Sequence, residues 1–479
     1  MSRSSRDRVS AGNRVFRWPW RVGLGLMAAI VVLTATVSTG SADPDPNANA
    51  EAPEAPSTQE TPSAQETPST EDVGSAVDGS LRTNLGGTYD WAYATAIQPD
   101  GRILAAGVSE AKGTYDFALA RYTRAMELDP TFGEGGFVLT DFGKSYDWAY
   151  AMALLPDGKI LVAGVSNVSG SKDFALARFN PDGTLDTGFG RGGLVTERTR
   201  SLTADIIRGL AVQPDGRIVV AGVSYDDVAT LGPNGDFMVA RYLPDGQSDL
   251  TFGLGGVMTT DFGEQSYDEP YAVVLQPDGK IVLGGYTNSG NGPGVLFGAD
   301  QLALARYGST GLLDPSFGRG GTVIFDGGSL EERILALTVT PDGSLLAGGY
   351  VNGEHRSDLL LARVRTDGTL TPGFGTDGKG LSVTDLGTNS ERIASLIQLP
   401  DGRILAGGQT AVAHNADFAI FRYDSLGGFD RSFGRSGVAS FDFQGREDRV
   451  HALARQSDGK VVAVGQSEAD FALVRFNAS

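Results

Sequence analysis

An all-β fold, a seven-bladed β-propeller with four-stranded blades, is the architecture the sequence predicts, and three observations predict it. A Pro-Asp-Gly turn recurs seven times, with its aspartate at Asp100, Asp157, Asp215, Asp278, Asp342, Asp401 and Asp458; Ser457 replaces the proline in the last copy. The spacings are 57, 58, 63, 64, 59 and 57 residues, a period far longer than the rung of a β-helix. Each period holds four short runs rich in Val, Ile, Leu and Ala, without helical periodicity, which is the strand content of one propeller blade. The third observation concerns the ends. The seventh period stops after its third run, DFALVRF, at Phe476, and the missing fourth run, LRTNLGG, stands at Leu81 to Gly87 ahead of the first period. Joined in one blade, these two segments close a ring and hide two sheet edges.

Ahead of the ring, Arg3, Arg6, Arg8, Arg14, Arg17 and Arg21 precede an uncharged apolar stretch from Val22 to Val37, followed by Gly40, Ser41 and Ala42. A basic segment, a short apolar core and a small-residue end read as a secretory signal peptide over residues 1–42, cleaved after Ala42. The competing reading is a retained anchor that tethers the protein to the cell surface. The apolar stretch is short for that role, since a spanning helix needs about 20 residues. Residues 43–79 read as an acidic Pro/Ser/Thr/Glu linker. From Asp43 to Asp78 there are nine acidic residues, no Lys or Arg, and the near-repeat QETPS at Gln59 and Gln65. So few large apolar side chains cannot offset the entropy of ordering, and disorder is expected. The propeller then occupies residues 80–479. There is no cysteine, so disulfides and zinc–thiolate sites are excluded. With 39 Lys and Arg against 58 Asp and Glu, the net charge is −19. That charge argues against nucleic acid as a partner and suits a soluble, exported monomer.

Within each period the Pro-Asp-Gly turn joins strands one and two: Pro fixes φ, Asp bonds the local backbone, and Gly accepts positive φ. Strand three reads DFALARY at Asp116 and its relatives, a loop of the form LDxxFGxGG follows, and strand four resembles VLTDFG, ending at Gly143 in the first copy. Strand three carries an arginine in every copy, at Arg121, Arg178, Arg241, Arg306, Arg363, Arg422 and Arg475. A companion acid follows at Asp129, Asp186, Asp249, Asp314 and Asp430, with Thr371 the exception. The planar guanidinium suits paired bonds to carboxylate, so repeated Arg–Asp bridges inside or between blades are expected. On PDG[RK]I, DFALARY and LDxxFGxGG, across residues 80–479, the chain resembles the delta-60 repeat family of bacterial exported proteins. That resemblance implies the propeller fold and no particular activity.

Blade topology separates two faces. The one-to-two and three-to-four turns share a nearly constant face. The two-to-three loops and blade-to-blade connections share the other, and there lengths vary, from Gln466–Ala469 in blade seven to Ser224–Gly235 in blade three and Tyr286–Asp300 in blade four. In repeat proteins such insertions gather on one face, often the binding face. The variable face also carries Tyr89, Trp91, Tyr93, Tyr146, Trp148, Tyr150, Tyr267 and Tyr271. These side chains either stack on sugars or anchor a protein partner, or they seal the seams between blades. His355, His414 and His451 map to the same face of neighbouring blades; a zinc or acid–base role beside Glu354 or Asp417 competes with plain surface residues. The candidate binding residues are thus Tyr89, Trp91, Trp148, Tyr267, His355 and His414.

Ten residues before each turn aspartate stands an acid, at Asp90, Asp147, Asp205, Asp268, Glu332, Glu391 and Asp448. At the start of the innermost strand these carboxylates are expected to ring the central channel at the variable face. Either they share a cation, for which calcium with its several oxygen ligands is the candidate cofactor, or each binds backbone N–H groups of its own inter-blade loop. No nucleophile elbow, HExxH, Walker loop or dinucleotide fingerprint occurs. The function expected is that of an exported, non-enzymatic binding or scaffold propeller that engages an extracellular protein or a cell-envelope polysaccharide through its variable loop face. The alternatives are a cation-dependent hydrolase or lyase with its site at the channel mouth, and an inert structural spacer.

Overall fold

The computed structural model describes residues 76–143, 146–198, 204–225, 235–263, 266–288, 300–329, 331–352, 356–412 and 415–478, together with a hairpin of Ala29–Val32 and Ala35–Ser38. The remainder of the expected signal peptide, and the expected linker before residue 76, lie outside the described residues. The hairpin backbone runs beside the innermost strands of blades two, three, five and six.

Seven sheets of four antiparallel strands make the ring. Blade one consists of Asp90–Ile97, Ile103–Ser109, Asp116–Tyr122 and Phe137–Thr140. The first strands of successive blades neighbour one another in an unbroken circle, so they face the axis and the fourth strands form the outer rim. Strands two and three of blade one are buried along their whole length. Neighbouring blades cover both of their faces, which is why they read as continuous apolar runs rather than alternating ones. The core accordingly lies between blades: Phe117, Leu119 and Phe132 of blade one pack in one cluster with Met152, Val162 and Phe179 of blade two.

Blade seven takes its fourth strand from the N-terminal side, as the sequence predicts. Val77–Thr83 pairs antiparallel with Asp470–Phe476, with Leu81 opposite Leu473. The strand begins four residues earlier than the LRTNLGG motif and ends at Thr83, ahead of Gly86, whose φ of 99° turns the chain. The ring therefore reaches into the segment expected to be linker, and Asp78 gives the reason. Its carboxylate accepts Arg475 Nε at 2.6 Å and Lys460 Nζ at 2.8 Å. Blade seven ends before it could supply an LDxxFG acid of its own, and the closing strand brings the substitute.

The expected Arg–Asp bridges are present and do more than pair charges. Arg121, Arg178, Arg241, Arg306 and Arg422 meet Asp129, Asp186, Asp249, Asp314 and Asp430 at 2.9, 2.7, 2.8, 3.0 and 2.7 Å. Each guanidinium also lies over the phenylalanine of the FG motif, for example 4.5 Å from the ring centre at Phe252. Its Nη1 then crosses to a backbone carbonyl of the next blade: Pro181 at 2.6 Å for Arg121, and Ser309 at 2.7 Å for Arg241. Pro244 and Thr366 serve Arg178 and Arg306 in the same way. Arg475 of blade seven reaches Arg124 O of blade one at 2.7 Å, which closes the circle. Where Thr371 replaces the acid, Arg363 turns to Asp342 of its own blade at 3.0 Å.

Two outcomes are expected. Arg241→Ala leaves the buried Asp249 with Arg217 alone as its cationic partner, at 3.2 Å, and removes the bond to the next blade; it should lower stability by about 2 kcal/mol in urea unfolding, with Arg241→Lys intermediate because the fork is lost. The second concerns acid. Burial opposes ionisation of Asp314, but bonds from Ser316 and Lys280 and the charge of Arg306 outweigh it and hold the carboxyl at about 2. The folded value lies below the unfolded one of about 4, so this contribution is complete above about pH 4 and is lost as the pH falls toward 2. Thermal melts across that window should fall less steeply for Asp314→Asn than for the native chain.

Candidate functional site

The axis-facing strand of every blade is interrupted once. Its pairing with strand two skips a residue, which is Tyr93, Tyr150, Arg208, Tyr271, Leu335, Ala394 or His451 in blades one to seven. A strand-two glycine stands opposite each bulge. At Gly107 an added Cβ would lie 1.8 Å from Trp91 O, so the bulge depends on glycine there. Bulges re-aim side chains, and these seven form the inner belt of the ring.

The belt is continuous over most of the circle. The His451 ring stacks on Tyr93 at 5.0 Å, Tyr93 meets Tyr150 edge-on at 5.4 Å, and Arg208 lies over Tyr150 at 4.8 Å. Arg208 Nη2 pairs with Glu269 at 2.9 Å, and Tyr271 Oη donates to Glu269 at 3.0 Å. Arg333 covers Tyr286 at 4.2 Å and pairs with Asp300 at 2.9 Å. The residues just after the seven acids divide the belt into two arcs: Trp91 and Trp148 on one side, Arg333, Arg392 and Arg449 on the other. Burial, then the charge of Arg449, pulls the Arg392 guanidinium down to about 9. Burial and both arginines hold His451 at about 3, so its ring is neutral.

Above the belt, blades one and two carry an aromatic patch in two tiers. Tyr93, Tyr150 and Trp148 are buried, Trp91 and Tyr115 half-buried, and Tyr89 and Tyr146 are 43% and 49% exposed. Tyr89 touches Trp91 at 5.7 Å and Tyr115 at 6.1 Å; Tyr115 stacks on Trp148 at 5.1 Å and reaches Tyr146 at 5.7 Å. Trp91 Nε1 donates to Glu468 O of blade seven at 2.9 Å, whereas Trp148 Nε1 is buried without a hydrogen-bond partner among the described residues. The YDWAYA motif is divided between two environments: the lower tier seals the seam, and the upper tier presents phenol rings to solvent. Tyr115, at the end of the blade-one two-to-three loop, was not singled out from sequence, because its ring joins two motifs far apart in the chain. Tyr267 stands apart from the patch, half-buried, with its hydroxyl 2.9 Å from that of Tyr225.

Other expectations need correction. The seven acids do not face one another across the channel; for six of them the reading that holds is the other one, in which each binds backbone N–H groups of its inter-blade connection. They are 0–1% exposed and turned into the seams, where backbone donors of the inter-blade connections need an acceptor. Leu85 N bonds Asp90 at 2.6 Å, Phe142 N bonds Asp147 and Phe262 N bonds Asp268 at 2.8 Å, Gly327 N bonds Glu332 at 2.6 Å, Leu386 N bonds Glu391 at 3.0 Å and Phe443 N bonds Asp448 at 2.7 Å. Asp205 is equally buried. Burial raises the carboxyls of Asp90, Glu332 and Glu391, and pushes Asp268 and Asp448 up to about 7. His451 is not a surface residue but a wholly buried belt member, with Nε2 3.1 Å from Gln466 Oε1. His355 and His414, with the blade-four insertion from residue 289 to 299, lie outside the described residues. At the constant face a cavity of about 1000 Å³ opens on the axis, lined by Gln98, Gln213, Gln276, Gln398 and Gln456. It offers amides, with Arg455 as the one charged lining residue among the described residues.

The family model described as a domain of unknown function (DUF5122) beta-propeller matches residues 98–132, 155–189, 213–252, 276–317, 340–374, 399–433 and 456–479. No curated protein matches in sequence. Among solved structures, the chain is similar to one in a mitotic checkpoint complex, at 11% identity and a TM-score of 0.44, covering 91% of this chain and 99% of that one. It is also similar to the polysaccharide lyase Uly1, at 11% identity and 0.44, covering 81% and 90%. The third is Sqt1 from Chaetomium thermophilum, at 14% and 0.40, covering 82% and 98%. Likeness at this level carries no argument about function.

The two tiers should separate by mutation. Tyr93→Ala removes a wholly buried ring and should cost about 3–5 kcal/mol, whereas Tyr146→Ala should stay within about 0.5 kcal/mol of the native chain. Chemical denaturation of the two variants measures both.

Proposed function

We propose that this chain, which belongs to the DUF5122 β-propeller family of the delta-60 repeat type, is an exported, non-enzymatic binding module that holds a carbohydrate polymer of the cell envelope on its variable face. The observation that carries the reading is the pair Tyr89 and Tyr146, exposed on top of a rigid aromatic stack. A phenol ring presents a flat apolar face with a polar edge, the surface that stacks on a sugar ring. Side chains held from below lose little further entropy on binding. The basic segment and apolar run before Ala42 support export.

The test is sedimentation of the full chain with insoluble cell-envelope polysaccharide. The native chain is expected to co-sediment, and the double variant Tyr89→Ala/Tyr146→Ala to bind at least tenfold more weakly while melting at the native temperature. Two aromatic anchors at a little over 1 kcal/mol each give that factor. Native-level binding by the double variant, or no binding by the native chain to any polysaccharide fraction, would refute the proposal.

A further inference from the structure

The axial cavity at the constant face, at the opposite end from the aromatic patch, differs from one side to the other. Three residues before each turn aspartate, the last part of the axis-facing strand sets a collar around the opening. That position is aliphatic in blades one to five, as Ile97, Leu154, Val212, Leu275 and Val339. It is Gln398 in blade six and Arg455 in blade seven. Four of the five aliphatic side chains, Leu154 being the exception, line the cavity of about 1000 Å³ together with both polar ones. Because the two departures stand in adjoining blades, the cavity has an apolar side and a polar side.

Arg455 is exposed, and its guanidinium makes no ion pair among the described residues. An arginine on an apolar rim, without an acid of its own, offers a planar fork of donors to an incoming carboxylate.

A second observation concerns the amides around it. Gln456 follows Arg455, and Gln98 holds the matching place in blade one. They are 7% and 8% exposed, and their Oε1 atoms, like that of Gln398, have no hydrogen-bond partner among the described residues. In blades three and four the matching amides are already engaged. Gln213 Oε1 accepts Arg241 Nη1 at 3.5 Å, and Gln276 Oε1 accepts Arg306 Nη1 at 3.4 Å. Gln276 Nε2 also donates to Gly343 O of the next blade at 2.7 Å. The unsatisfied acceptors therefore fall in blades six, seven and one, on either side of Arg455. A buried amide oxygen without a donor is costly, and the last torsion of glutamine is soft enough to turn it toward one in the cavity.

We infer that the axial cavity takes the free C-terminus of a peptide or protein chain that ends in an aliphatic residue. Such a terminus carries all three groups the cavity calls for. Its carboxylate meets Arg455, its last backbone N–H groups meet Gln398 and Gln456, and its aliphatic side chain lies against Val212, Leu275 and Val339 on the far side of the opening. A fatty acid has the carboxylate and the apolar body but no N–H donor for the amides.

Fluorescence anisotropy of a labelled peptide ending in Val-Leu, titrated with the full chain, tests this. The free acid should bind about tenfold more tightly than its C-terminal amide, and by a similar factor more tightly than the same peptide ending in Lys. Arg455→Leu, at an exposed position, should keep the native melting temperature and remove the difference between acid and amide. No binding of the free acid at millimolar concentration would overturn the assignment, as would a preference for acid over amide that survives Arg455→Leu. Dodecanoate competing as well as the unlabelled free acid would also overturn it, in favour of a fatty acid.

Discussion

The ring depends on one contact repeated in five of its seven blades: the strand-three guanidinium that pairs with an acid of its own blade, lies over a phenylalanine, and bonds the backbone of the next blade. Blades share a large apolar interface, but apolar packing is non-directional. The crossing bond from Arg121 to Pro181 O, or from Arg241 to Ser309 O, fixes how one sheet sits on the next. Because each clasp spans a seam, the last one must reach the first blade. Arg475 does so only because Asp78 arrives from the other end of the chain to hold it. Closure is therefore electrostatic as well as a matter of strand pairing, and its acid is delivered by the segment that hides the sheet edge.

The belt follows from a second constraint. A strand-two glycine lets strand one bulge against it, and the bulge turns one side chain per blade along the inner circumference. The repeat fixes the geometry of that position and leaves its chemistry free. Tyrosine, arginine, leucine, alanine and histidine occupy it in different blades, so variation concentrates where the scaffold is most rigid. This is the reverse of loop variation, which is free because it is unconstrained.

Much of this was legible in the sequence because it is periodic. The blade count, the four strands, the borrowed closing strand and the Arg–Asp pairing rest on motifs that recur in register. What escaped was of two kinds. Asp78 and Tyr115 act through partners distant in the chain, and no periodicity announces such a pair. The orientation of the seven acids was left open between two readings for another reason: position along a strand fixes the end of the channel, while the bulge three residues later decides which side chains face the axis. The two-tier aromatic patch was half legible, since YDWAYA identified its members without ranking their burial.

The two faces differ in how charge is met. At the constant face, clasp acids such as Asp129, Asp186 and Asp249 are held below the usual carboxylate range despite burial, by hydroxyl and cationic neighbours. At the variable face, burial dominates, and the Asp90, Asp268 and Asp448 carboxyls lie above it. Cationic side chains meet the acids at one end of the ring, and backbone N–H groups meet them at the other. Tyr115 and Tyr146 directly precede Asp116 and Asp147, so the half-exposed aromatic patch is built onto the seam between blades one and two. The clasps fix the seams at one end with side-chain charge, and the backbone donors of the inter-blade connections fix them at the other.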